Sequence, residues 1–180
     1  MSLIDKVLSR RSIRAYAKKR IPTPVLNNIL EAGRQAPSAG NKQSWHFIVV
    51  TDEEIKQTLS WGRVNWFIRD APLTIVGCAT TDTGNWSIMN TTIALQSMVI
   101  AAWAMDVGSC WLGAFKEGDV KQLLNIPDNW RVVALVTFGY PADGESRFPA
   151  NFQDMRERLT AKKPIEEIVS FNTFQAPETH

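Results

Sequence analysis

The sequence predicts one mixed domain of helices and strands, α+β or α/β in class, and three observations carry that prediction. Some segments repeat apolar residues at helical spacing, while others are compact β-branched runs, and the two kinds are interspersed along the chain. The length of 180 residues is that of one domain, or one domain plus an arm. Hydrophobic residues make up 44% and charged residues 21%, which suffices for a buried core.

Leu3, Ile4, Val7 and Leu8 predict a short first helix ending near Arg10–Arg11. Thr23-Pro24 reads as an N-cap with proline at the first helical position, and Val25, Leu26, Ile29 and Leu30 give the apolar face of a helix that stops before Pro37. His46 to Val50 is a compact strand, and Asp52 caps the next helix, in which Ile55 and Leu59 turn inward. Leu73 to Ala79 is a second buried strand. A long helix over about residues 86–105 follows, apolar on most sides but carrying Asn90, Thr91, Thr92, Gln96 and Ser97, so that it suits a core or a subunit interface better than a bilayer. A short strand around Cys110–Leu112, a helix over Asp119–Leu124 and a strong strand over Arg131–Tyr140 complete the core. From Pro141 onward apolar runs vanish and charges crowd together. This tail makes no core of its own, yet Phe171 and Phe174 call for a packing surface.

Composition excludes several functions. Twenty Lys+Arg against eighteen Asp+Glu leave a net charge of +2, too weak to argue for nucleic acid or an anionic membrane. Cys78 and Cys110 stand far apart, so neither a disulfide framework nor a zinc knuckle is expected. His46 and His180 are the two imidazoles, and His180 is the last residue of the sequence, which leaves metal sites and Ser–His–Asp triads to His46 alone. The opening residues MSLIDKVLSRR lack the apolar stretch of a secretory signal, and the expected location is the cytoplasm. No G-x-G-x-x-G or G-x-x-x-x-G-K-[ST] occurs.

Three clusters carry candidate chemistry. Arg10-Arg11-Ser12-Ile13-Arg14 offers guanidiniums and a hydroxyl to a phosphate dianion, or forms a solvated basic face. In an extended chain Ser12 and Arg14 point one way and Ile13 the other, which favours the first reading. Pro37-Ser38-Ala39-Gly40-Asn41-Lys42-Gln43-Ser44-Trp45 is a small-residue loop able to meet a heterocycle edge, or a plain connection. Gly108 to Phe115 includes Gly113, which either admits a flat ligand against the backbone or merely ends a strand.

Taken together these segments resemble the FMN-dependent nitroreductase family. The resemblance lies in SRRSIRAY at 9–16, APSAGNKQSWHF at 36–47, DVGSCWLGAF at 106–115, FGYP at 138–141 and KKPIEEIV at 162–169, in that order. It implies an α+β fold with a mixed, mostly antiparallel sheet flanked by helices, and an obligate homodimer with FMN at its interface, where the long helix around Ile93, Met98 and Ile100 and the tail with Phe171 and Phe174 are expected to be buried. It further implies a nitroreductase-like core over 1–141 and an extension over 142–180 that completes the phosphate site and packs on the partner subunit. By the same resemblance Arg10 and Ser12 hold the FMN phosphate with Arg11 beside them, and Arg14 meets the flavin N1–O2 edge. Pro37, Ser38, Ala39 and Asn41 reach the flavin of the other subunit, and Leu112 and Gly113 face N5 and O4. Lys162 is a late phosphate ligand that Lys163 shares, and Asn65 is the candidate amide to the pyrimidine. The implied reaction is ping-pong hydride transfer from NADH or NADPH to a small-molecule electron acceptor. No catalytic side chain or metal is needed, because the cofactor carries the chemistry. The alternatives are a flavin protein without turnover and an FMN enzyme of dehalogenase or flavin-breakdown type.

The chain departs from the family at Ser44, where proline usually precedes the tryptophan. It also lacks room for an inserted helical lid, and it has a long stretch before Lys162 in which Met155–Leu159 reads as a helical turn. Trp103 and Trp130 read as core. Trp61, Trp66 and Trp86 are candidates to stack on a substrate, Cys110 to pack, and His46 to be structural.

Overall fold

The structure, a computed structural model, describes residues 2–61, 65–143 and 161–174. The chain divides into two units, Met1–Glu145 and Ser146–His180.

In the first unit local sequence sets most helix boundaries. Helix α1 (Leu3–Ser9) opens on a capping box in which the Ser2 hydroxyl accepts from the Asp5 amide while the Asp5 carboxylate accepts from the Ser2 amide. Helix α2 (Thr23–Arg34) begins one residue earlier than expected. Its N-cap is Pro22, and Thr23 lies inside the first turn without making a capping bond. Strand β1 (Trp45–Val50) leads into α3 (Glu53–Leu59), which Asp52 caps by accepting from the Ile55 amide at 3.0 Å. Strand β2 (Leu73–Thr80) precedes the long α4 (Asn85–Ala104), then β3 (Gly108–Leu112), α5 (Glu117–Leu123) and β4 (Trp130–Gly139).

The four strands form one antiparallel sheet in the order β1-β2-β4-β3. One face packs on α4 and α2 through Ile75, Val136 and Phe138 against Leu95, Met98 and Ile29. The other packs on α3, α5 and the 66–68 turn through Val76, Cys78 and Leu135 against Leu59, Ile68 and Val120. A bulge serves both faces at once. Gly77 pairs with Ala134 but Cys78 pairs with Val132, so Val133 is an extra residue in β4. Val132 and Leu135, an odd number apart, therefore face the same layer. The Val132 amide at the bulge donates to Glu117 of α5 at 2.8 Å.

Gly33 lets α2 approach α4, because a Cβ there would run into the Met98 side chain. Met98 is thus fully buried within one chain, which corrects the expectation that it lies at a subunit interface. Helix α4 is long and apolar enough to cross a membrane, but it packs on β2 and α2. In the second unit the described residues hold one short 3-10 turn, Ile165–Glu167, and Phe171 and Phe174 are 82% and 88% exposed. The suggested turn at 155–159 lies outside the described residues.

Candidate functional site

After α1 the chain runs extended beside β3. Ser12 bridges Ser109 in parallel fashion and the Ile13 amide donates to the Ser109 carbonyl at 2.9 Å. Ile13 is buried while Ser12 and Arg14 are exposed, as the alternation predicts. Gly108 makes this approach possible, since a Cβ there would strike Ile13. Below the segment a buried network holds it in place. The Tyr16 hydroxyl donates to the Ile13 carbonyl at 2.6 Å and lies 2.7 Å from Thr137 Oγ1, which also reaches the Cys110 carbonyl at 3.3 Å. Burial pushes the Tyr16 phenol far above its usual range, so it stays a donor.

The bridge between Ser12 and Ser109 sets the Arg10–Arg14 segment alongside Cys110. Burial raises its thiol pKa, and Arg14, a hydrogen bond with Ser12, and Arg10 all pull it back down. Arg14 lies 5.9 Å from the Phe67 ring, which brings the basic segment to the 65–68 turn. In that turn Asn65 is 4% exposed; its Nδ2 donates to the Ala114 carbonyl at 2.7 Å, but its Oδ1 is buried with no partner among the described residues. A buried amide oxygen without a donor is costly unless a ligand supplies one. Leu112 is buried and Gly113 exposed, and a Cβ at Gly113 would meet nothing within 4 Å. Three segments far apart in sequence thus surround one place that offers guanidiniums, a hydroxyl, an unsatisfied amide oxygen and open backbone. These residues fit a group combining a phosphate dianion with a heterocycle that bears an N–H.

The loop over 37–43 lies elsewhere in the chain. It turns through left-handed backbone at Gly40, Asn41 and Gln43, with φ of 59°, 53° and 47°. Ser38 Oγ accepts from the Gln43 amide at 3.0 Å. Sequence reasoning missed the residue that anchors this loop. Asn90 of α4, 3% exposed, accepts from the Ala39 amide at 3.1 Å and donates to Ser44 Oγ at 3.2 Å. Its signal was an amide interrupting an apolar helix. The departure at Ser44 is matched by this bond.

Pro37, Ser38, Ala39 and Asn41 are held at the N-terminal part of α4, and the Arg10 segment at its other end, where Trp103 Nε1 donates to Ser9 Oγ at 3.5 Å and Lys6 pairs with Asp106 at 2.6 Å. The helical rise between residues 90 and 103 is about 20 Å. One chain does not bring the two clusters together. Lys162 and Lys163 belong to the second unit, where both are exposed. Trp61 faces Lys116 at 5.7 Å, Trp66 meets Phe67 edge-on, and Trp86 is 60% exposed beside the 39–42 turn. Trp103 and Trp130 are half-buried against the core, and the exposed His46 packs edge-on against Trp130. Among the described residues no group of His, Cys, Asp and Glu could hold a metal.

An antiparallel sheet between two helical layers, with a basic segment laid along its β3 edge, defines the protein as α+β in class. The chain belongs to the nitroreductase family, whose sequence profile matches residues 7–61 and 60–140. It is 32% identical over 169 residues to an Archaeoglobus fulgidus protein named NADH dehydrogenase/NAD(P)H nitroreductase, covering 89% of this chain and 97% of that one. An FMN-dependent nitroreductase from Clostridium difficile R20291 superposes with a TM-score of 0.77 at 27% identity, over 95% and 99% of the two chains. Iodotyrosine deiodinase of Thermotoga neapolitana is 24% identical over 198 residues, covering 96% and 98%.

Proposed function

We propose that the chain is an FMN-dependent oxidoreductase that takes electrons from NADH or NADPH and passes them to a nitroaromatic, quinone or similar acceptor in a ping-pong cycle. The observation that carries this reading is that the Arg10–Arg14 segment lies along β3 and meets the 65–68 turn through Arg14 and Phe67, beside the unsatisfied Asn65 Oδ1 and the open backbone at Gly113. Bound FMN would supply two-electron hydride transfer. Arg10 and Ser12 would donate to the phosphate dianion, with Arg11, Lys162 and Lys163 sharing its charge. Arg14 would stabilise negative charge at the N1–O2 edge, Asn65 Oδ1 would accept from a ring N–H, and the Leu112–Gly113 backbone would face N5 and O4. None of these groups gives up a proton; their work is binding, orientation and charge stabilisation.

The reading includes a homodimer. The 37–41 loop and the Arg10 segment stand at opposite ends of α4, so a second copy is needed for Pro37, Ser38, Ala39 and Asn41 to meet the same ring. Trp86, Met89 and Ile93, at helical spacing on α4, are 60%, 51% and 41% exposed, and Ile4 and Leu8 of α1 are 60% and 77% exposed. A second copy would cover this apolar surface. The free, buried Cys78 and Cys110 suit a reducing compartment such as the cytoplasm.

Anaerobic titration of the FMN-reconstituted protein with NADH and with NADPH tests the proposal. Bleaching of the yellow colour, restored by a nitroaromatic or quinone, is expected. A colourless protein that FMN does not restore overturns it, and a yellow protein that neither nicotinamide bleaches is a binding module instead. The deiodinase relative favours one other reading, reductive carbon–halogen cleavage on the same flavin site. Halide release from an iodinated phenol under reducing conditions would support it.

A further inference from the structure

Helix α3 packs through Leu59 against Phe67 and Ile68, and two polar side chains grip the turn that presents Asn65 from the same side. Ser60, the residue that ends the helix, donates from Oγ to the Trp66 carbonyl at 3.0 Å. Lys56, one turn earlier, is 2% exposed and donates from Nζ to the Ala71 carbonyl at 2.8 Å. Between those points the chain closes on itself. The Ile68 amide donates to the Asn65 carbonyl at 3.0 Å, and the Ala71 amide to the Phe67 carbonyl at 3.2 Å. Phe67, in the middle, lies under Arg14.

A buried ammonium is costly, and packing alone would be served as well by an apolar side chain of similar length. The ion pair of Lys56 does not account for its burial either. Its partner is Glu53 at 2.9 Å, on the same helix and 81% exposed, and such a pair forms equally well at a surface. What burial adds is reach to the carbonyl of Ala71, a residue with no exposure just before Pro72. Asn65 stands at the other end of the turn, with its amide held to Ala114 through Nδ2 and its Oδ1 buried without a partner among the described residues. The backbone that carries this oxygen is therefore held by α3. We infer that Lys56 is a positioning residue: its ammonium, aided by the Ser60 hydroxyl, locks the 65–71 turn so that Asn65 Oδ1 stays aimed at the bound ring. The inference rests on the flavin reading for the identity of that ring, and on the geometry of α3 and the turn for the locking.

Hydrogen exchange on the full chain without flavin tests the locking. In Lys56→Met the Ile68 and Ala71 amides should exchange about tenfold faster, the scale of one lost hydrogen bond, while the amides of β2 and β4 keep their rates. Wild-type rates in the turn, or rates raised equally in turn and strands, would overturn the inference. Fluorescence quenching by the protein and the absorption spectrum of bound FMN then test the aim. Lys56→Met should weaken FMN binding about tenfold by itself, but less than about twofold in an Asn65→Ala background, where no oxygen is left to aim. Its bound flavin should show the spectral shift of Asn65→Ala, which general destabilisation would not produce. Equal losses of affinity in both backgrounds, or an unshifted spectrum, would sink the inference. If Lys56→Met does not fold, Ser60→Ala carries the same measurements with the same outcomes, because it removes the other grip and leaves the buried charge paired. A wild-type chain that takes up no FMN would end the oxidoreductase reading and the ring with it, while the exchange rates would still decide whether Lys56 locks the turn.

Discussion

At the scale of single residues, charge and burial lead to two expectations. Arg14 in the proposed site favours electrons on the ring more than it favours the neutral oxidised ring. Arg14→Gln should therefore bind oxidised FMN nearly as well while lowering its reduction potential by about 20–40 mV, the two-electron equivalent of roughly 1–2 kcal/mol. Equilibration against a redox dye measures it, and an unshifted potential would place Arg14 away from the ring. Cys78 makes a prediction about stability. Burial, and then Glu117, push its thiol up to about 11, against the milder pull of Lys121. The folded pKa is raised, so its contribution is complete below about pH 8.5, where an unfolded thiol begins to ionise, and is lost as pH climbs towards 11. The urea midpoint should fall across that window, and Cys78→Ala should flatten the decline. The alternation of Ser12, Ile13 and Arg14 was legible in sequence because one strand covers two faces with different solvents. The role of Asn90 was not, because its partners Ala39 and Ser44 are some fifty residues away in sequence.

Among the elements, those with local signals were the ones sequence could place. Asp52 followed by Glu53 and Glu54 marks the start of α3 because the cap and the helix dipole both act within one turn. Thr23 misled by one position, since Pro22 and Pro24 both accept helix-entry backbone and nothing local chooses between them. Met98 misled more seriously. On a helix apolar nearly all round, only the approach of α2 decides which methionine is internal, and that approach depends on Gly33. Gly33→Ala should consequently lower stability by about 1–3 kcal/mol through overpacking, more than the roughly 1 kcal/mol that alanine gains over glycine in a helix. In a Met98→Ala background the same change should stabilise, because the new methyl enters the space Met98 vacated. Denaturant melts of the four proteins decide this, and the same sign in both backgrounds would show that the two residues do not meet.

For the whole molecule, subunit number decides whether the proposed site is complete. In the proposed site a ring held by Arg10, Ser12 and Arg14 of one chain and by Ser38 and Asn41 of another would link flavin retention to dimerisation, since a ligand that bridges two subunits strengthens their association as much as association strengthens its binding. The proposal extends to the tail, in which Phe171 and Phe174 are exposed and Lys162 and Lys163 are the proposed further phosphate ligands. Removing residues from Ser170 onward should lower both dimer stability and flavin content, read together by sedimentation and absorbance on one sample. A truncated protein that stays a fully flavinated dimer would show the tail to be dispensable, and a flavinated monomer would overturn the shared site. Sequence alone reached this scale only through resemblance, because no periodicity reports which surfaces meet a second copy.

The extra residue at Val133 has a consequence for anyone recombining this chain with its relatives. Deleting it would restore an unbroken ladder and leave the layers as they are: Val132 and Leu135 would stand two apart, both toward α3 and α5, with Ala134 and Val136 still toward α4. The count of β4 can therefore change by one at the bulge, whereas a residue lost elsewhere in the strand would turn every side chain beyond it to the other layer. Chimaeras can join this chain to a relative whose strand lacks the bulge when the count differs at Val133 alone, and otherwise need crossovers in the turns outside β2 and β4. A library whose cuts shift the count elsewhere in either strand would be dominated by inverted sheets, whatever the similarity of the sequences joined.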